Sequence, residues 1–254
     1  MKILLLLFVG SLAMAQSPTL QKGRQVLADF RVDRPTSPVK IPMATQRNVL
    51  SKLFRRYLTD ANKCNANFAG SDGADPLAAA RKAGQIVPSI ADMTTGSFTA
   101  AGQSQTLYVI SVSECNASHA DMFGTKRVAI FSGQQLVADL DVEFKDNILR
   151  KTDLNSDGID ELLMSTADMH QGVVDEVAAL LSFQSGRLRV VHDFGPVVED
   201  SCASAMPGSV SKASVLYISD VVPGSMPKFS VENYQTGCGK TRRWRLISRG
   251  KLGG

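Results

Sequence analysis

Between residues 153 and 161 the chain places oxygen-bearing side chains at alternate positions: Asp153, Asn155 and Asp157, followed by Gly158 and then Glu161. Alternate side chains on a tightly bent segment can converge on one point. Gly158 permits the bend, and Glu161 can reach back from the segment that follows. Hard oxygen ligands of this kind select Ca²⁺, which accepts about six to eight of them at about 2.3–2.6 Å. The expected ligands are Asp153, Asn155, Asp157 and Glu161 through their side chains and Ile159 through its carbonyl, with water completing the shell. Such a loop repels itself when empty, so a bound ion would act on stability, tying two strands together, rather than on a reaction.

An EF-hand loop opens in the same way, but it needs a bidentate carboxylate at its twelfth position and a helix on either side. Here the twelfth residue is Met164 and the acidic ligand falls at the ninth. The flanks Asn147–Arg150 and Leu162–Met164 are short and apolar, which rejects the EF-hand and the similar dockerin loop. The run DLNSDGIDELL, from Asp153 onward, resembles the D-x-N/D-x-D-G-x-x-D/E-L calcium hairpin of FG-GAP and VCBS repeats. These repeats are the units of integrin α-subunit β-propellers and of many secreted bacterial proteins. The resemblance implies a loop joining two strands of a propeller blade, with Asp153, Asn155, Asp157, Ile159 and Glu161 on calcium. It further implies a binding or structural module whose loops, at one end of its sheets, meet a protein or glycan partner.

A repeat rhythm surrounds this hairpin. Leu149–Asp153 followed by Glu161–Met164 can be laid on Leu216–Asp220 followed by Lys228–Val231 at a constant offset of 67. An earlier copy runs from Ile90 through Gly96-Ser97-Phe98 to Leu107–Ile110, with longer spacing. The copy at 216–231 keeps Asp220 but has Val222, Gly224 and Lys228 at the other ligand positions, so it should not bind metal. Three units are too few for a propeller of the usual blade number. The fold class expected is therefore mainly β, with antiparallel propeller-like sheets in an incomplete or atypical arrangement and a short helical N-terminal region.

Other chemistry is weaker. His119 with Asp121, His170 with Asp168 and His192 with Asp193 each set an imidazole near a carboxylate. A secreted hydrolase would use His170 and the carboxylates of a long connection from Ser165 to Glu176, and would bring two of the three histidines into contact; a binding protein would leave them scattered. Asp139 and Asp141 alternate on a strand and face either the calcium loop or solvent. Gly239-Lys240-Thr241 resembles the end of a phosphate loop, but Tyr234 stands where its first glycine is required. Ser209–Lys212 matches S-x-x-K without the companion motifs, and no G-x-S-x-G or H-E-x-x-H occurs.

The elements that would position these residues change character along the chain. Residues 16–44 carry Pro18, Pro35, Pro38 and Pro42 and read as an extended, poorly packed lead-in. Residues 45–88 form a helical region. Val49, Leu50, Leu53, Phe54, Tyr57 and Leu58 recur at helical spacing from Thr45 to Leu58, with Lys52, Arg55 and Arg56 on the other face. A second helix is signalled by Asp75, Pro76, an alanine-rich run and Gly84. From residue 89 to 254 the chain breaks into short β-branched or aromatic segments: 107–113, 127–131, 136–140, 177–183, 188–191, 215–218, 229–234 and 242–247. Residues 177–183 alone could be helical.

Composition and termini bound the rest. With 254 residues, 44% hydrophobic and 20% charged, the chain is an ordinary globular protein rather than a disordered or fibrous one. Residues 1–15, MKILLLLFVGSLAMA, read as a signal peptide cleaved after Ala15, which predicts a secreted or periplasmic protein and no membrane span. In that compartment Cys64, Cys115, Cys202 and Cys238 are expected to pair. Three connectivities are possible, and the shorter loops favour Cys64–Cys115 with Cys202–Cys238. The formal charge of +4 is too mild to indicate nucleic acid. Basic residues nevertheless concentrate at 47–56 and 240–251, the latter around Trp244, which keeps open a third reading: an envelope protein gripping anionic polymers. Asn116-Ala117-Ser118 matches a glycosylation sequon.

Overall fold

The β-branched segments assemble into two antiparallel sheets, described in a computed structural model over residues 23–32, 40–65, 76–115, 125–142, 146–204, 207–239 and 241–252. The expected signal peptide at residues 1–15, most of the lead-in, Asp75, the sequon, His119, Asp121 and Lys240 lie outside the described residues. In chain order the elements are β1 (Gln25–Asp29), α1 (Met43–Leu53), α2 (Pro76–Ala83), β2 (Ile86–Gly96), β3 (Gln105–Glu114), β4 (Thr125–Ser132), β5 (Gln135–Asp141), β6 (Asn147–Thr152), β7 (Glu161–His170), β8 (Val173–Ser182), β9 (Arg189–Asp200), β10 (Val210–Ser219), β11 (Lys228–Gly237) and β12 (Arg245–Leu252). The smaller sheet has the order β2-β3-β4-β5. The larger, which curls into a half-barrel, runs β12-β11-β10-β9-β8-β7-β6 and takes β1 against β10. Every strand neighbour in both meanders is its neighbour in sequence, as expected where tight turns rather than long crossovers join the strands.

Alternation along the strands creates the layers. On β3, Leu107 and Val109 face one way and Tyr108, Ile110 and Val112 the other, and all are buried. The first set joins Val128, Ile130, Leu162, Met164, Ala179, Leu181 and Phe183 between the two sheets. The second packs with Val49, Leu50, Phe54 and Ala80, which places the helices on the outer face of the small sheet. Leu163, Ala178 and Leu180 point to the opposite side of the large sheet, where Leu27, Phe30, Leu216 and Phe229 fill the half-barrel. Strands β7 and β8 are thus covered on both faces, which accounts for their near-continuous apolar runs.

Three expectations are corrected. The lead-in is not wholly loose: Gln25–Asp29 pairs with Val215–Ile218 of β10, beyond the stretch Ser211–Ala213 that β9 covers, and buries Leu27 and Ala28. The first helix ends at Leu53 instead of Leu58, because Phe54 turns extended and the Leu58 N–H donates to the Ile86 carbonyl at 2.8 Å. The chain is drawn off the helix by tertiary bonding to β2. Residues 165–176 are not a loop: β7 continues to His170 and β8 begins at Val173, with Gln171 and Gly172 at positive φ in the turn. Residues 177–182 lie on β8 and Phe183 just beyond it, so the alanines and leucines yield to sheet packing.

Both disulfides form with the shorter-loop connectivity, Cys64–Cys115 and Cys202–Cys238, and indicate an extracellular or otherwise oxidising compartment. Among the described residues no helix is long and apolar enough to cross a membrane.

Candidate metal centre

The acidic loop connects β6 to β7, whose closing pair is Thr152↔Glu161. Leu154 and Ile159 anchor it by turning inward, both buried, while Asp153 and Asp157 stay exposed. The chain then wraps the Asp153 carboxylate: Oδ1 accepts from the Asp157 N–H at 3.1 Å and Oδ2 from the Gly158 N–H at 2.9 Å. Asn155 Oδ1 accepts from the Asp157 N–H at 3.2 Å, and Asp157 Oδ1 accepts from the Ile159 N–H at 2.8 Å. Asn155 Nδ2 donates to Asp157 Oδ2 at 3.0 Å. Gly158 has φ +81°, and a Cβ there would lie 2.9 Å from Ala101 Cβ, so both backbone conformation and close approach require glycine.

Glu161 is 1% exposed, and its Oε2 accepts from the Leu154 N–H at 3.0 Å. Burial, reinforced by the charges of Asp157 and Asp153, pushes its carboxyl up to about 7. Among the described residues no lysine or arginine pairs with Asp153, Asp157 or Glu161. This donor set, three carboxylates and an amide oxygen with no internal counter-ion, suits a hard divalent cation. The side chains are nevertheless not gathered at a point. Among the described residues no three His, Cys, Asp or Glu side chains converge at metal-binding distance, and the oxygens are turned to backbone N–H groups instead. Coordination would require Asp153, Asp157 and Glu161 to exchange some of those bonds for the ion.

Two sister hairpins share this architecture. The pairs Gly96↔Gln105, Thr152↔Glu161 and Ser219↔Lys228 each close a loop of eight residues: 97–104, 153–160 and 220–227. In each, the second loop residue, Phe98, Leu154 or Val221, turns into a core. The residue just after the loop closes it by different chemistry. Gln105 accepts from the Phe98 and Thr99 N–H groups at 2.8 and 2.9 Å, the position equivalent to the Leu154–Glu161 bond, and Nε2 donates to Thr99 Oγ1 at 2.6 Å. Lys228 brings its own positive charge to Asp220 at 2.9 Å. Glu161 alone brings an acid.

The loops also touch one another. Asp160, which sequence reasoning passed over, holds the first two together: its N–H donates to the Ser97 carbonyl at 2.7 Å and its Oδ2 accepts from the Ser97 N–H at 2.8 Å. A Cβ on Gly96 would collide with that same carboxylate, so Gly96 is part of the clasp. The Gly224 N–H donates to the Asn155 carbonyl at 2.5 Å, joining the second loop to the third. The earlier repeat copy marked Gly96 in the sequence but not its contact with Asp160, and Gln105 carried no signal there, because the equal loop length is defined by closing pairs that only the sheet register sets.

The remaining candidates separate. Asp139 and Asp141 pair with Arg127 at 2.8 and 2.6 Å on the small sheet rather than approaching the loop. His170 is exposed, 2.5 Å from Asp168. His192 stacks on Phe229 with ring centroids 4.6 Å apart, and burial lowers its pKa. His170 is paired with Val173 and His192 with Leu180, seven positions further along β8, so at about 3.4 Å per residue about 24 Å of strand separates them. Arg242 bonds Asp200 at 2.7 Å and lies before β12, which begins at Arg245. No family model matches the chain, and no curated protein or solved structure matches it.

Proposed function

We propose that this is an exported binding module of FG-GAP/VCBS type, with propeller-like hairpin units, in which a structural Ca²⁺ ties β6 to β7. The observation that carries this reading is Glu161: a carboxylate 1% exposed, beside Asp153 and Asp157, with no cation to answer it among the described residues. Asp153, Asn155, Asp157 and Glu161 would hold the ion with the Ile159 carbonyl, and the ion would supply charge neutralisation and cross-linking, not a reactive centre. The signal-peptide pattern and the two disulfides support export. The contiguous hairpin loops support a role in binding, since loops held by a rigid sheet are where a protein or glycan partner is met. The separation of His170 from His192 speaks against the hydrolase alternative.

Thermal unfolding of the oxidised mature protein in calcium and in chelator tests the ion. A calcium concentration about a hundredfold above Kd should add about 2.7 kcal/mol and raise Tm, and Asp157→Ala should abolish the rise. Equal Tm values for the unsubstituted protein in both buffers would overturn the calcium reading.

A further inference from the structure

Where the two helices end, the surface opens into a cavity of about 380 Å³. Leu53, Phe54 and Ile86 form its apolar floor and Arg55, Arg56, Arg81 and Lys82 its wall. These residues come from two stretches of sequence, the exit of α1 and the last turn of α2 running into β2, and specific contacts bring them together. The Leu58 N–H bonds the Ile86 carbonyl at 2.8 Å. Gly84 ends α2 at φ +71°, and a Cβ on it would lie 2.9 Å from Arg56 Cβ, so the lack of a side chain lets the two exits close on each other. Asn65 N–H to Gln85 Oε1 at 2.9 Å and the Cys64–Cys115 disulfide then hold the chain beyond.

Helix dipoles explain part of the charge, since Lys52, Arg81 and Lys82 occupy last turns, where cations face free carbonyls. They do not explain Arg55 and Arg56, which lie past the end of α1 and line the same concavity. Among the described residues no carboxylate lines the cavity, and no ion pair involves Arg55, Arg56 or Lys82. Three exposed cations, Arg55, Arg56 and Lys82, stand around one hollow and repel one another, a repulsion that a bound anion relieves.

We propose that this cavity binds a phosphoryl group carried on an apolar stem. Several cations favour a dianion over a monoanion, guanidinium forks match phosphate oxygens in pairs, and Leu53 and Phe54 offer the stem an apolar wall. The volume falls in the range of small-molecule sites, about 300–1,000 Å³. This site is independent of the calcium loop.

The oxidised mature protein is titrated calorimetrically with phenyl phosphate, inorganic phosphate and benzoate, and sedimented with phosphatidylcholine vesicles with and without phosphatidic acid. The proposal expects phenyl phosphate to bind more tightly than inorganic phosphate or benzoate, and Arg55→Gln/Arg56→Gln to weaken it about tenfold or more. Lys82→Gln should weaken it too, whereas Arg245→Gln, on β12, should not. Vesicle binding that the double variant loses identifies a lipid headgroup as the source; phenyl phosphate binding without vesicle binding identifies a soluble phosphomonoester. Binding of neither probe overturns the proposal, as does binding that Arg55→Gln, Lys82→Gln and the double variant all leave unchanged.

Discussion

At the ninth position of the acidic hairpin, the choice of side chain decides how the loop is closed. Gln105 closes the first loop with a neutral amide that accepts two backbone N–H groups, and Lys228 closes the third with an ammonium on Asp220. Glu161 performs the same backbone bond as Gln105 but adds a buried negative charge next to two others. An amide at 161 can keep the Leu154 bond and remove that charge. Glu161→Gln should therefore raise Tm in chelator by about 2–4 °C, the shift expected of roughly 1 kcal/mol in a chain this size, and should lose the response to calcium. Melting curves in the two buffers check both halves. A lower Tm in chelator would mean that the carboxylate is held by something other than the bonds described.

Among the elements, β1 depends on side-chain chemistry more than on its five residues of ladder. Arg24 stacks on Tyr217 at 3.4 Å and bonds Glu232 at 2.7 Å, while Tyr217 and Tyr234 donate to the other Glu232 oxygen at 2.9 and 2.7 Å. Arg31 bonds Asp29 and stacks on Tyr234 at 4.2 Å. The Tyr234 and Arg24 hydrogen bonds hold the Glu232 carboxyl down to about 2, against 4.5 for an ordinary glutamate. A carboxyl depressed in the folded state contributes stability that is present above about pH 4.5 and is lost as pH falls toward 2. Glu232→Gln should accordingly be less stable than the unsubstituted protein at neutral pH, and the difference should shrink steadily across that acidic window. Denaturant unfolding at several pH values measures it; a difference as large at pH 2 as at neutral pH would rule out this linkage.

The whole molecule is held as four successive layers: helices, small sheet, central strands of the large sheet, and the filled half-barrel. Phe98 sits at the joint, fully buried between the sheets although it belongs to a loop. Its truncation to alanine should cost about 3–5 kcal/mol. Because β7 and β8 serve two cores at once, loss at this joint should lower the stability of both sheets together. Far-ultraviolet dichroism and the fluorescence of Trp244, which packs against the half-barrel core, should then report one coincident transition at lower Tm. Two separated transitions would show that the sheets fold independently.

What the sequence determined by itself is local. Period-2 alternation and turn residues marked most strands, Pro76 and Gly84 bounded α2, the even cysteine count and loop lengths favoured the pairing found, and the spacing from Asp153 to Glu161 defined the loop between β6 and β7. Each of these rests on backbone preference or on neighbours a few residues away. The tertiary structure decided whatever depends on distant segments meeting. It drew Gln25–Asp29 out of a proline-rich lead-in onto the free half of β10, stopped α1 at Leu53 by bonding Leu58 to Ile86, and kept β7 extended to His170. It also set Asp160 on Ser97 and brought Arg55 and Arg56 beside Arg81 and Lys82. Those placements come from packing and long-range hydrogen bonds whose partners lie tens to hundreds of residues apart, so no pattern within a short window carries them.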